Sequence, residues 1–318
     1  MNNTIYNRKV AVIGCGFVGS TCAFSLMQSS LFSEIVLIDV NTERAEGEAL
    51  DIAHGVPYYS PMNIYAGTYK DLADASIVVI AAGANQKPGE TRLDLLQTNV
   101  TILKKVVSSI MEQNFNGIIV VVSNPVDILT QVVMKLSGLP KERVMGSGTV
   151  LDSARLKYIL GHTLDVDPRH VHARITGEHG DSELAVWSLA NISGIHIDDF
   201  FRLRGFDNPQ AMRKEIENEV RNSAYEIIKK KRATYFGIAP SVTRICEAII
   251  RDEKSIMTVS NFWTELQGVH DVVMSMPAII GSSGVEYQIP LNLNDEEALH
   301  LRESAQTLRN MIDQISFE

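Results

Sequence analysis

The chain has 318 residues, 45% hydrophobic and 21% charged, with 38 acidic against 29 basic side chains and a net charge of −9. That length exceeds one ordinary domain, and the acidic balance, without a long basic run, excludes nucleic acid as a partner. No apolar run approaches the roughly 20 residues of a membrane span, and Met1–Asn7 lacks the apolar core of a signal peptide. Cys15, Cys22 and Cys246 are odd in number and have no metal-ligand spacing. They point to a reducing cytoplasm, no disulfide and no metal site.

The first element is a β-branched run, Lys9 to Ile13, followed by Gly14-Cys15-Gly16-Phe17-Val18-Gly19 and a helix from Ser20 to Met27. A second strand, Glu34 to Ile38, ends at Asp39, 20 residues after Gly19. Strand, glycine turn, helix and a distal acid form a dinucleotide fingerprint. Gly14 allows the tight turn, Gly16 the approach of a pyrophosphate, and Gly19 close packing of helix on strand. The helix N-terminus offers amide donors to the phosphates, and Asp39 suits ribose hydroxyls, which favours NAD over NADP.

Alternation continues with strands at 63–65 and 76–81 and a long helix in which Leu96, Val100, Leu103, Val107 and Ile110 recur at helical spacing. The run Gly117 to Val122 is apolar throughout, as a central parallel strand is, and ends at Ser123-Asn124-Pro125; a short strand follows at 143–146. These features predict an α/β fold, a doubly wound parallel sheet over residues 1–148 carrying a second, α+β substrate domain over 149–318. Between strand and long helix, Gly83 to Arg92 is a polar segment with glycines and a proline, placed as a lid would be.

In the second half Asp152 and Arg155, at i and i+3, share one face of a helix. The stretch Ile175-Thr176-Gly177-Glu178-His179-Gly180-Asp181-Ser182-Glu183 sets an imidazole among glycines and acids. His is the side chain whose proton moves most readily near neutral pH, which makes His179 a candidate acid and base. Asp152 would orient the ring, Arg155 would grip a substrate carboxylate in a planar fork, and Arg92 would polarise a carbonyl. Further on come an irregular stretch, an amphipathic helix through Ile216 to Ile228 ending in Lys229-Lys230-Lys231-Arg232, and a helix beginning near Pro240. A final helix is capped by Asn294-Asp295-Glu296-Glu297.

Taken in order, the fingerprint, the 83–95 segment, Ser123-Asn124-Pro125-Val126-Asp127, Gly146 to Arg155 and Gly177 to Glu183 resemble the lactate and malate dehydrogenase family over nearly the whole chain. The resemblance implies reversible reduction of a 2-oxo acid by NADH, with His179 as proton donor and acceptor, Asp152 its partner, Arg155 the carboxylate anchor and Arg92 the carbonyl polariser. It places Asn124, Asp127 and Thr234 at the substrate. Gly14, Gly16, Val18, Gly19, Asp39, Arg44, Tyr69, Gly83, Ala84, Val122, Asn124 and Ser147 fall at the cofactor. Gln86 stands where the malate branch carries an Arg, so pyruvate and lactate are the implied pair. A homotetramer is implied as well. His172 matches a residue that binds fructose 1,6-bisphosphate in activated bacterial members, but Lys157 replaces the expected Arg, which implies weak activation. A related metal-dependent glycosidase group would need Cys and His ligands in a motif that neither Cys22 nor Cys246 supplies.

Overall fold

Apolar runs too short for helices and bounded by glycine or polar turns become parallel strands covered on both faces. A computed structural model describes residues 8–84 and 92–315, Arg92 by its backbone alone. In chain order its regular elements begin with β1 (Lys9–Ile13), α1 (Phe17–Ser29), β2 (Glu34–Ile38), α2 (Thr42–Ala53), β3 (Asn63–Ala66) and β4 (Ile77–Ile80). They continue with α3 (Arg92–Met111), β5 (Ile118–Val121), α4 (Val126–Ser137), β6 (Val144–Gly146) and α5 (Val150–Leu164). Short strands β7 (Val171–His172), β8 (Ile175–Thr176), β9 (Leu184–Ala185), β10 (Asn191–Ile192) and β11 (Ile195–His196) lead to α6 (Ile197–Leu203), α7 (Pro209–Lys231) and α8 (Ile238–Ile250). Three longer strands, β12 (Ser255–Leu266), β13 (Val269–Gly281) and β14 (Gly284–Gln288), precede α9 (Asp295–Ile312).

The main sheet runs β14-β13-β12-β6-β5-β4-β1-β2-β3, and its β1 to β6 part is parallel throughout. Chain order reverses between β1 and β4, the switch point at which ligands bind beyond the carboxyl ends of the strands. One face packs on α3, α4 and α9 through Leu103, Ile128 and Leu301, the other on α1, α2 and α8 through Cys22, Ala49 and Ile245. A third core, around Leu160, Phe201 and Val220, joins α5, α6 and α7.

Residues 251–293, given no element by the sequence pattern, hold the three antiparallel strands that extend this sheet. The sheet therefore runs across the boundary expected at residue 148. The ladder between β6 and β12 has one register pair, Gly146 with Ser260. A Cβ at Gly146 would lie 2.4 Å from Thr130 Oγ1 and 2.7 Å from Ser260 Oγ, so only glycine lets the strands close there. The irregular stretch after His179 contains β9 to β11 and α6. The expected cap of the last helix is present: Asn294 accepts from the Glu297 N–H at 2.9 Å, and the Glu297 carboxylate accepts from the Asn294 N–H at 3.4 Å.

Candidate active site

The glycine turn is shaped by what each missing side chain would strike. Gly14 has φ +95°, and a Cβ there would lie 2.6 Å from the Ala82 amide nitrogen; at Gly19 it would lie 1.8 Å from the Gly14 oxygen. At Gly16 a Cβ would meet nothing within 4 Å, so the turn opens on free space that any side chain would fill. Gly16 is also the N-cap of α1 and supplies no side-chain cap, leaving first-turn N–H groups for an anion. Val18 lies half-buried in this first turn.

Asp39 follows β2 and holds this turn from the other side. Its Oδ2 accepts the Cys15 N–H at 2.6 Å, and its Oδ1 accepts the Asn41 N–H at 2.9 Å. A carboxylate has about four lone-pair positions, so both oxygens retain capacity for ribose hydroxyls. Burial and the nearby Asp39 charge push the Tyr69 phenol up, which locates Tyr69 beside that carboxylate. Arg44 lies in the first turn of α2, 3.8 Å from Glu48. These groups fit a dinucleotide, with an open turn for phosphates and a carboxylate for ribose.

At the ends of β4, β5 and β6 lie Gly83, Ala84, Val122, Asn124 and Ser147. Asn99, absent from the sequence-based set, ties Ala84 to Asn124. Its buried amide accepts the Ala84 N–H at 2.7 Å and donates to the Asn124 carbonyl at 3.0 Å. The signal was an amide on the otherwise apolar face of α3, three residues after Leu96 and four before Leu103. Ser147 is buried and anchored by its N–H to the Val121 carbonyl at 2.8 Å. Thr234 lies half-buried beyond α7, in a segment where Phe17 stacks on Tyr235 with centroids 5.3 Å apart.

His179 follows β8 through Gly177, whose φ of +94° turns the chain out of the strand. Its Nδ1 lies 2.6 Å from Asp152 Oδ2, while Arg155 Nη1 donates to Asp152 Oδ1 at 2.6 Å. Asp152 and Arg155 are thus no surface pair: the Asp152 side chain is 3% exposed and that of Arg155 15%. With Nδ1 engaged, Nε2 is the nitrogen left for a substrate, and the side chain is 26% exposed. Burial drives His179 toward its neutral form, yet the Asp152 carboxylate, its hydrogen bond, Asp127 and Glu183 outweigh that and hold the ring up to about 9. Burial acts on Asp152 in the opposite sense to its cationic neighbours, and His179 and Arg155 prevail, leaving its carboxyl below the usual range. The other Arg155 donors make no bond to protein among the described residues, so its fork remains open for a carboxylate.

Two acids of this site have positions that spacing alone did not reveal. Asp127, expected at the substrate, is 2% exposed, and both its oxygens accept from protein, the His179 N–H at 2.7 Å and the Ser275 hydroxyl at 2.8 Å. Glu183 is buried, and burial together with the Asp152 charge pushes its carboxyl up to about 7. Gln86 lies outside the described residues; Arg92 begins α3, its side chain also outside them. Lys157 and His172 line one cavity of about 510 Å³ with Arg174 and Arg244. Burial and the Arg174 charge lower the Lys157 ammonium. Cys15, Cys22 and Cys246 are free and buried, the first two thiols pushed up to about 12 by burial.

A doubly wound sheet with an open glycine turn, and a His–Asp pair beside a guanidinium that keeps further donors free, define a nicotinamide-dependent dehydrogenase of small acids. The comparisons agree. The family model for the lactate/malate dehydrogenase NAD-binding domain matches residues 8–146, and that for the α/β C-terminal domain of the same family matches 149–318. The L-lactate dehydrogenase of Acetivibrio thermocellus is 51% identical over 98% of each chain, and that of Thermoanaerobacterium saccharolyticum is 50% identical over 96% of this chain and 99% of its own. The crystal structure of the minor L-lactate dehydrogenase from Enterococcus mundtii in its ligand-bound form superposes with a TM-score of 0.94 at 42% identity, covering 98% of this chain and 99% of that one. The chain belongs to the lactate/malate dehydrogenase family, and NAD is its cofactor.

Proposed function

We propose that this chain reduces pyruvate to L-lactate reversibly, with His179 as the proton donor. The observation that carries this reading is the unbroken line Arg155–Asp152–His179, with both links at 2.6 Å. The open fork of Arg155 receives the substrate carboxylate and brings the keto oxygen to Nε2 of His179. When bound, NADH supplies the hydride that adds to the keto carbon. His179 passes its Nε2 proton to the oxygen as charge develops there, and becomes a neutral ring still held through Nδ1 by Asp152. In the reverse direction the neutral ring takes the hydroxyl proton. Arg92, by family resemblance, faces the same oxygen, with Asn124 and Thr234 bounding the substrate.

Pyruvate rather than oxaloacetate is favoured by Gln86, which resemblance places against the substrate's C3 group. A neutral amide offers no counter-charge to a second carboxylate, and burying an unpaired charge is costly. The test is kcat/KM for both acids with NADH, in the parent and in Gln86→Arg. The parent should prefer pyruvate, and the variant should reverse that preference by about two orders of magnitude or more. A parent that prefers oxaloacetate contradicts the lactate assignment.

Three further readings accompany this one. The cavity holding Lys157, His172 and Arg174 is the proposed site for fructose 1,6-bisphosphate. An ammonium in place of a guanidinium makes that binding weak, read out as a small fall in pyruvate KM on adding the sugar bisphosphate. A homotetramer is supported by large exposed apolar side chains, among them Leu50, Tyr58, Tyr158 and Ile256, and is checked by sedimentation. The cytoplasm is supported by three free thiols, and no described helix is long and apolar enough to cross a membrane.

A further inference from the structure

Three consecutive backbone amides of the catalytic loop are each bound by a different element. The Gly177 N–H donates to the Ser275 carbonyl of β13 at 2.9 Å, and the Glu178 N–H donates to Ser304 Oγ of α9 at 2.9 Å. The His179 N–H donates to Asp127 Oδ2 of α4 at 2.7 Å. The first and third anchors are themselves joined, because the Ser275 hydroxyl donates to Asp127 Oδ1 at 2.8 Å. The Ser275 N–H returns a bond to the Gly177 carbonyl at 3.2 Å, closing the circuit. Asp127 lies in the first turn of α4, three residues after Asn124 and just beyond the end of β5, so the His179 backbone is referred to the same strand end as Asn124.

A buried carboxylate is costly unless its oxygens are satisfied, and here both are satisfied by protein. To bind substrate, Asp127 would have to surrender one of these bonds. We propose that Asp127 is a positioning residue for the dehydrogenase reaction: it holds the His179 backbone so that the ring meets Asp152, and its charge favours the protonated ring, without touching substrate. This rests on the reading of His179 as the proton donor.

His179 is faced by Asp152 and Arg155 from α5, by Asp127 from α4, and by Glu183 from its own loop; Glu183 in turn faces Arg221 of α7. Burial raises the Asp127 carboxyl itself, with the His179 amide and the Ser260 and Ser275 hydroxyls opposing it only in part. Asp152 contributes more than Asp127 to the protonated ring, so loss of Asp127 displaces the His179 titration to lower pH without abolishing it.

The experiment compares the parent with Asp127→Asn and Asp127→Ala in the full chain with NADH. It measures kcat and KM for pyruvate across the neutral to alkaline range, NADH affinity, and the His179 ring titration followed by NMR in the NADH complex. Asn retains a carbonyl for the His179 N–H but no charge. Its kcat should fall less than about tenfold, and both the alkaline limb and the ring titration should move to lower pH. Ala leaves the amide unpaired, and kcat should fall by roughly ten- to a hundredfold with pyruvate KM and NADH affinity little changed. An Asn variant with unmoved limb and titration overturns the proposal, as does one whose loss lies wholly in pyruvate KM, which would put Asp127 against the substrate. An Ala variant that folds and keeps parental kcat also overturns it. If Ala fails to fold, the Asn titration decides alone. If the parent fails to reduce pyruvate, the reaction assigned above is wrong, while the NMR titration still tests the link from Asp127 to His179.

Discussion

Asp152 serves two cations at once, the His179 imidazolium on one oxygen and the Arg155 guanidinium on the other, each at 2.6 Å. Asp152→Asn keeps the shape and removes the charge that holds the ring protonated, so pyruvate reduction should fall roughly ten- to a thousandfold with NADH affinity nearly intact. Stopped-flow turnover alongside NADH titration reads both; unchanged turnover would dissolve the dyad. Arg155→Lys asks a different question. An ammonium still pairs with Asp152 but cannot make two parallel hydrogen bonds to a carboxylate, so the loss should lie mainly in pyruvate KM, by about tenfold or more. A parental KM would move the carboxylate anchor elsewhere.

Among elements, the junction of β6 and β12 sets how the His179 loop meets the cofactor-binding strands, because β12 and β13 bring Ser275 to Asp127. Gly146→Val would press its side chain on Thr130 and Ser260, an overpacking worth about 1–3 kcal/mol, and should lower Tm by several degrees. Gly47→Ala, on the exposed face of α2 with open space around it, should instead leave Tm level or raise it slightly. Equal melting of the two variants would deny the junction its role.

The same junction shows where sequence patterns stop being informative. The parallel strands are legible because Val, Ile and Leu fill them on both faces, and the fingerprint is legible because three glycines have separate steric duties. Strands β12 and β13 are hidden because Thr258, Ser260, Asn261 and Ser275 are buried polar residues, satisfied by cross-strand and loop hydrogen bonds that hydropathy does not register. Their hairpin turn, Gln267-Gly268, with both residues at positive φ, was the available cue. Asp127 is a similar case. Its place in a motif marked it as part of the site, but only distances reveal that its oxygens face the His179 amide and Ser275.

At the scale of the whole molecule, one sheet carries both parts of the proposed site, the candidate cofactor residues at the carboxyl ends of β1 to β6 and the His179 loop referenced to β13. Its electrostatics favour the protonated His179, whose value is raised from 6.5 to about 9. The folded protein thereby gains stability that is fully present below the ordinary imidazole value and is lost as pH rises through about 9. In the proposed reaction the same ring decides the pH dependence: pyruvate reduction needs its protonated form, lactate oxidation the neutral one. The most direct measurement is kcat/KM for pyruvate, followed by NADH oxidation, as a function of pH. It should stay level through neutrality and fall tenfold per pH unit above about 9, with lactate oxidation rising over the same interval. A pyruvate profile that is flat through that range, or no pyruvate-dependent oxidation of NADH at any pH, would contradict His179 as the proton donor.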